Sequence, residues 1–208
     1  MEEERKDRLG SLATRLHDAA LEGNIPSLIN LLQLDPLILD RCCNERSSCF
    51  NRSPLYVAAN LGHLEFVTEI LRRKPRMAEE LDHAQRSSPL HVSSANGHLE
   101  VVKALLAVNP NTCLVRDQEG KNPIHVAAIN GRVHVLDELL RAKPQAAREQ
   151  THGGESVLHL CVKHNQLESL EFLVNVMDDR ELLNFKEDNG NTVLHLAVAA
   201  KQLEVTSK

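Results

Sequence analysis

The sequence predicts an all-α solenoid of paired antiparallel helices joined by β-hairpin or loop connectors, about six repeats long with the last incomplete. The first observation behind this is a recurring block. It reads Ser53-Pro54-Leu55-Tyr56-Val57-Ala58-Ala59, Ser88-Pro89-Leu90-His91-Val92, Asn122-Pro123-Ile124-His125-Val126-Ala127-Ala128, Ser156-Val157-Leu158-His159-Leu160 and Thr192-Val193-Leu194-His195-Leu196-Ala197, with a degenerate first copy at Leu16-His17-Asp18-Ala19-Ala20. Leu16, Leu55, Leu90, Ile124, Leu158 and Leu194 are separated by 39, 35, 34, 34 and 36 residues. A period of this size means stacked units sharing one elongated core. The second observation is that the interior of each unit repeats at fixed offsets, with a glycine seven residues after the reference leucine and a proline twenty after it.

Each element follows from local chemistry. Ser53, Ser88, Asn122, Ser156 and Thr192 can N-cap the first helix, and Pro54, Pro89 and Pro123 occupy the first helical position, where no N–H is needed. Gly23, Gly62, Gly97 and Gly131 stop that helix in a left-handed conformation; Asn165 tolerates the same geometry, while Lys201 suits it badly and marks the sixth copy as distorted or unfinished. The second helix is expected to bury Leu64, Val67, Ile70 and Leu71, then Leu99, Val102, Leu105 and Leu106, then Val133, Leu136, Leu139 and Leu140, then Leu167, Leu170, Leu173 and Val174. The first copy offers Ile25, Leu28, Leu31 and Leu32. Arg72-Arg73-Lys74, Arg141 and Lys143 read as cations at the negative end of a helix dipole rather than a nucleic-acid patch. Pro36, Pro75, Pro110 and Pro144 open the long connector.

These divisions make residues 1–11 a charged, frayed lead and residues 12–208 a single domain, with units at approximately 12–47, 48–82, 83–116, 117–150, 151–186 and 187–208.

The Ser-Pro-Leu-His opening, the Gly-His-Leu-Glu step at Gly62 to Glu65 and Gly97 to Glu100, and the double-leucine ending resemble the ankyrin repeat over residues 12–205. A tetratricopeptide array has a similar period but uses longer helices and a Trp/Gly/Tyr signature, and this chain has no Trp and one Tyr. The resemblance implies a protein–protein interaction module. A narrower resemblance rests on the proline twenty residues in, on the pairs Met77-Ala78, Leu114-Val115 and Ala146-Ala147 after it, and on the phrase from Leu158 to Gln166. It is to plant ankyrin proteins in which a cytosolic ankyrin domain precedes a C-terminal membrane region, the PGG domain. That likeness implies a role in immunity or stress signalling at the cytosolic face of a membrane. A freestanding soluble cytosolic adaptor or inhibitor is the alternative.

The last apolar residues, Leu203 and Val205, fall a few residues into a second helix, so the sequence is expected to be part of a longer product whose next residues cap the array; the plant resemblance implies that C-terminal transmembrane helices follow. No apolar run of about 20 residues occurs, so no membrane insertion by this segment is expected. The charged start from Met1 to Arg8 lacks the apolar stretch of a secretory signal. Five cysteines form no pairwise framework, as expected of a reducing, cytoplasmic setting. A net charge of −5 argues against a general phosphate-binding or nucleic-acid role.

Catalytic and metal chemistry are not expected. Ser88 with His91, Ser156 with His159 and Thr192 with His195 have the residue types of a nucleophile and base, but the pair recurs in unit after unit, and in ankyrin proteins it serves the hydrogen-bond network between neighbouring turns. Cys42, Cys43 and Cys49 are the one close group of potential ligands; plain loop or core cysteines are the favoured reading, with zinc and redox roles as alternatives. No phosphate loop or dinucleotide fingerprint appears, and no cofactor is implied.

Function is therefore expected from the surface that stacking creates, where a protein partner meets the connector tips and the concave ends of the first helices. The offsets place Phe50, Arg52, Gln85, Gln118, Glu119, Lys121, His152 and Glu155 at the tips, and Asn60, Leu61, Asn96, Ile129, Asn130 and His164 on the concave side. Phe50, Leu61 and Ile129 are apolar where solvent is expected, as the anchors of a binding hot spot would be, framed by Arg52, Lys121, Asn96 and Asn130. For Leu61 and Ile129 packing against their own neighbouring hairpins is an equal alternative. The third connector carries one extra residue and lacks the glycine that Gly120, Gly154 and Gly190 supply, so an irregular tip is expected there.

Overall fold

A computed structural model describes residues 2–44, 52–82, 84–177 and 180–200. The first unit contains α1 (Glu2–Glu22), α2 (Ile25–Leu34) and the short α3 (Ile38–Asn44). The following pairs are α4 (Pro54–Leu61) with α5 (Leu64–Arg73), α6 (Pro89–Asn96) with α7 (Leu99–Val108), α8 (Pro123–Ile129) with α9 (Val133–Ala142), and α10 (Val157–Lys163) with α11 (Leu167–Met177). The short α12 (Arg180–Leu183) leads to α13 (Val193–Ala199). Helix α1 runs unbroken through position 12, so the charged lead and the first repeat share one 21-residue helix.

Stacking is strictly sequential. The first helices pack in the order α1, α4, α6, α8, α10, α13, and the second helices in the order α2, α5, α7, α9, α11. Small residues let the first helices approach: Ala19-Ala20, Ala58-Ala59, Ser93-Ser94 and Ala127-Ala128 are all buried. One core runs without interruption from Leu16 to Ala197. Each fully buried leucine in it, such as Leu90 or Leu105, contributes about 2 kcal/mol of hydrophobic stabilisation.

The inward face of the second helices is rotated slightly from the one the spacing suggests. Leu64, Leu99, Val133 and Leu167 are half-buried, and the residues two further on, Phe66, Val101, Val135 and Ser169, lie in the core instead. In the fifth pair Val174 is 40% exposed where its counterpart Leu140 is 6% exposed, because it lies at the edge of the described core.

The prolines of the connectors open a third element in each central unit, a 3-10 turn at Pro75–Glu79, Pro110–Leu114 and Pro144–Arg148. A tight turn of three residues points its third and fourth positions inward. Met77-Ala78, Thr112-Cys113 and Ala146-Ala147 are buried at these positions; Leu114, of the quoted pair Leu114-Val115, comes one residue later in its turn than Ala78 or Ala147 and is exposed.

No β-strand occurs among the described residues. Each connector tip is closed by two backbone hydrogen bonds at 2.8 to 3.1 Å: Asp82 N–H to Ser87 O with Arg86 N–H to Asp82 O, Asp117 N–H to Lys121 O with Gly120 N–H to Asp117 O, Thr151 N–H to Glu155 O with Gly154 N–H to Thr151 O, and Glu187 N–H to Asn191 O with Gly190 N–H to Glu187 O. The arms between 3-10 turn and N-cap are too short for a ladder. The third tip solves its missing glycine with Arg86, which takes a left-handed φ of 54° two residues before the N-cap, in register with Gly120 at 76°.

Cations at the ends of the second helices are paired as helix-end groups. Glu69 holds Arg72 and Arg73, and those two hydrogen bonds pull its carboxyl down to about 2. Lys74 reaches Asp40, and Arg141 reaches Asp137.

Candidate protein-interaction surface

The surface is built on three ladders of polar contacts that join each repeat to the next. The first starts at the N-caps. Ser53 Oγ accepts from Tyr56 N–H at 3.2 Å, Ser88 Oγ from His91 N–H at 3.4 Å and Asn122 Oδ1 from His125 N–H at 3.1 Å. In return Nδ1 of His91, His125, His159 and His195 accepts the N–H of residue 88, 122, 156 or 192 at 3.1 to 3.3 Å. Nε2 of His91, His125 and His159 then meets the carbonyl of Lys121, Glu149 or Asn191 in the next connector at 3.0 to 3.1 Å. A carbonyl only accepts, so the ring proton sits on Nε2 and the imidazole is neutral. Burial agrees, lowering the pKa of His91 and taking His125 to about 4. A neutral histidine that donates to a main-chain carbonyl is a structural clamp.

The second ladder joins the tips themselves. Gln118 N–H donates to Gln85 O at 3.1 Å, His152 N–H to Glu119 O at 3.0 Å and Asp188 N–H to Gly153 O at 3.1 Å. Successive turns are thereby locked side by side. Gly120 permits the approach: a Cβ there would lie 2.7 Å from the His152 backbone nitrogen.

The third ladder runs along the opposite ends of the first helices. The residue after each helix-ending glycine or asparagine reaches back one repeat. His63 Nε2 meets Leu21 O at 3.0 Å and His98 Nε2 meets Asn60 O at 3.1 Å. Arg132 Nε donates to Ala95 O at 3.0 Å and Gln166 Nε2 to Ile129 O at 3.1 Å. These four side chains satisfy helix C-terminal carbonyls that otherwise have no partner in their own helix. The sequence reading gave them no role. The recurrence of Gly-His at residues 62–63 and 97–98 was the available signal.

Against this frame the expected contact residues divide. Gln85, Gln118, Glu119 and His152 stand exposed on consecutive tips, and only Gln118 turns its amide back to the preceding tip, at Ala84 O. Lys121 pairs with Glu119, and Glu155 pairs with Lys163, so these charges are largely neutralised within the surface. Arg52 lies over the Tyr56 ring, 5.1 Å from its centroid. Asn96 bridges to Asn60, its Nδ2 donating to Asn60 O at 2.9 Å and Oδ1 at 3.1 Å, whereas Asn130 turns back to Val126 O at 2.8 Å. Leu61 is 42% exposed, while Ile129 is half-buried. His164 is exposed at the end of α10. Phe50 and Cys49 lie outside the described residues, as do the side chains of Cys42 and Cys43.

Tyr56 occupies the position that histidine holds in later repeats, and its phenol faces the side chain of Ser87, the residue in register with Lys121 and Asn191. Burial raises its pKa, which keeps the phenol neutral. Cys113 and Cys161 are buried free thiols whose pKa values burial pushes up to about 11 and about 12.

Helical pairs, stacked tips and side chains that tie only neighbours together define a repeat scaffold with one long open flank. A family model described as ankyrin repeats (three copies) matches residues 16–115, 106–182 and 124–207. The chain belongs to the ankyrin-repeat family, whose members are protein–protein interaction modules. No curated protein matches it. No helix among the described residues is long and apolar enough to cross a membrane.

Proposed function

We propose that this chain is the cytosolic recognition domain of a plant membrane-associated signalling protein, binding a protein partner on its tips and on the concave ends of its first helices, as one domain over residues 12–208. The observation that carries the binding reading is a division of labour along the open flank. Backbone groups of Gln85, Gln118, Glu119 and His152 bind the repeats together, which leaves most of their side chains for recognition. A face of this kind changes its specificity without touching the core.

The membrane and plant context rests on the narrower sequence resemblance. Its proline-opened turns form a buried third element in each central unit, a construction that the general repeat signature does not require.

The test is proximity labelling and affinity capture with the full-length gene product in plant cells, with membrane fractionation alongside. Arg52→Glu combined with Phe50→Ala is expected to reduce capture of the partner while leaving the thermal midpoint unchanged. Recovery of the full-length product only in the soluble fraction would replace this reading with the freestanding adaptor. A large loss of stability in the double variant would assign those residues to the core.

A further inference from the structure

Asparagine is a thermolabile residue, and most so before glycine, whose backbone nitrogen has no side chain beside it to hinder attack on the asparagine Cγ. This chain carries three such pairs, Asn96-Gly97, Asn130-Gly131 and Asn189-Gly190. All three asparagines are exposed. All three glycine N–H groups donate to a nearby carbonyl, Gly97 to Ser93 O, Gly131 to Ala128 O and Gly190 to Glu187 O. Neither access nor the glycine hydrogen bond separates the pairs.

Their surroundings do. Asn96 is the last residue of α6, and its Nδ2 donates to Asn60 O at 2.9 Å and Asn60 Oδ1 at 3.1 Å. Asn130 caps α8, and its Nδ2 donates to Val126 O at 2.8 Å. The carbonyl before each asparagine is clamped from the next repeat, Ala95 O by Arg132 and Ile129 O by Gln166. The same two side chains lie against the glycines: a Cβ on Gly97 would meet Arg132 Cδ at 3.0 Å, and one on Gly131 would run into Gln166 Oε1. Asn189 belongs to no helix. Its Nδ2 reaches only Glu187 Oε1, at a long 3.4 Å, and that carboxylate is already held by Asn191 Nδ2 at 2.7 Å. Among the described residues nothing lies within 4 Å of a Cβ on Gly190.

We propose that Asn189 is a spontaneous modification site, at which this chain converts asparagine to aspartate and isoaspartate while Asn96 and Asn130 are protected by the repeats that follow them. Gly190 N gives up its proton to water and bonds to Asn189 Cγ; the Cγ–Nδ2 bond breaks, and Nδ2 takes up a proton and leaves as ammonia. The resulting succinimide is opened by water at either carbonyl, one opening giving aspartate and the other isoaspartate. Water is the only co-reactant, and nothing is oxidised or reduced. Conversion sets a carboxylate beside Asp188 and Glu187. Isoaspartate also adds a backbone atom inside the turn that Gly190 N–H and Glu187 O close, next to the Asp188 N–H that ties this tip to Gly153 O. The sixth tip thereby gains negative charge and loosens from the fifth.

The test holds the whole chain at mildly alkaline pH and physiological temperature and digests samples with trypsin at intervals. The three pairs fall in separate peptides, Ser87–Lys103, Asn122–Arg132 and Glu187–Lys201. Mass spectrometry reads the conversion of amide to acid, and chromatography separates the aspartate and isoaspartate forms. Conversion at Asn189 is expected to be at least about tenfold faster than at Asn96 or Asn130, each of which must first give up a side-chain hydrogen bond. In urea the three rates are expected to converge, because the pair itself is the same. Gly190→Ala is expected to slow conversion at Asn189 by shielding the attacking nitrogen, with a parental circular dichroism spectrum establishing that the variant is folded. Hydrogen exchange of the Asp188 amide is expected to quicken in the converted fraction, and unchanged exchange would overturn the loosening of the tip. Asn189 reacting no faster than Asn96 or Asn130 in the folded chain, or the same spread of rates persisting in urea, would overturn the site.

Discussion

Replacing His125 with glutamine removes an imidazole that the fold holds neutral between Asn122 N–H and Glu149 O. The ordinary histidine value of 6.5 applies to the unfolded chain, and burial takes it to about 4 in the folded one. Below pH 6.5 the unfolded state therefore binds a proton that the folded state refuses. Stability from this group is complete above about pH 6.5 and falls away as the pH drops towards about 4. One pH unit between the two values corresponds to about 1.4 kcal/mol, so the full swing is about 3 kcal/mol, of which about 2 kcal/mol falls between pH 7 and pH 5. His91 shifts in the same direction and is present in both proteins, so it cancels in the comparison. The assay is urea unfolding followed by far-ultraviolet circular dichroism at each pH. His125→Gln is expected to be less stable than the parent at pH 7, because Asn122 N–H and Glu149 O lose a well-placed partner, but to lose about 2 kcal/mol less between pH 7 and pH 5. Identical pH slopes for the two proteins would refute the neutral-clamp assignment.

Three further outcomes are expected. Gly190→Ala meets nothing within 4 Å and incurs only the left-handed penalty of about 1 kcal/mol, whereas Gly120→Ala also forces a Cβ against the His152 backbone and is expected to cost at least twice as much, as read from paired denaturation curves. Ser94 buries a hydroxyl with no hydrogen-bond partner at a position where other repeats place Ala59 and Ala128, so Ser94→Ala is expected to raise stability by about 1 kcal/mol; a lower melting midpoint would show that the hydroxyl is satisfied. Cys113 and Cys161, buried and pushed up to about 11 and about 12, are expected to resist a thiol reagent until denaturant is added, with mass spectrometry of the labelled peptides as the check.

The fold was legible in the sequence because its signals are local and repeated. The N-caps at Ser53, Ser88 and Asn122 and the left-handed position at Asn165 depend on residues within one turn, and each appears where its spacing put it. Errors arose where a position's depth is set by the neighbouring repeat. Periodicity alone does not separate Leu64 from Phe66 as the deeper side chain, since they lie on opposite edges of the stripe formed by Val67, Ile70 and Leu71, and a modest rotation of the buried face exchanges them. Nor does it distinguish Leu114 from Cys113 at the close of a 3-10 turn. The interaction surface was legible in outline only. Lys121 looks like a free tip cation until Glu119 is seen to hold it, and Arg86 looks like part of an irregular loop until it is seen in a glycine's place. The reach of Arg132 to Ala95 spans 37 residues of sequence and follows from the stacking distance between repeats, which no local pattern encodes.

Every one of the three ladders connects a repeat to its immediate neighbour and to nothing beyond. Mechanically the molecule is thus a stack of coins held by clips between adjacent faces. Pulled along its axis it is expected to open clip by clip, as a soft spring whose extension grows with the number of coins. For a tether between a fixed support and a mobile cargo, such compliance absorbs sudden load without a single decisive rupture.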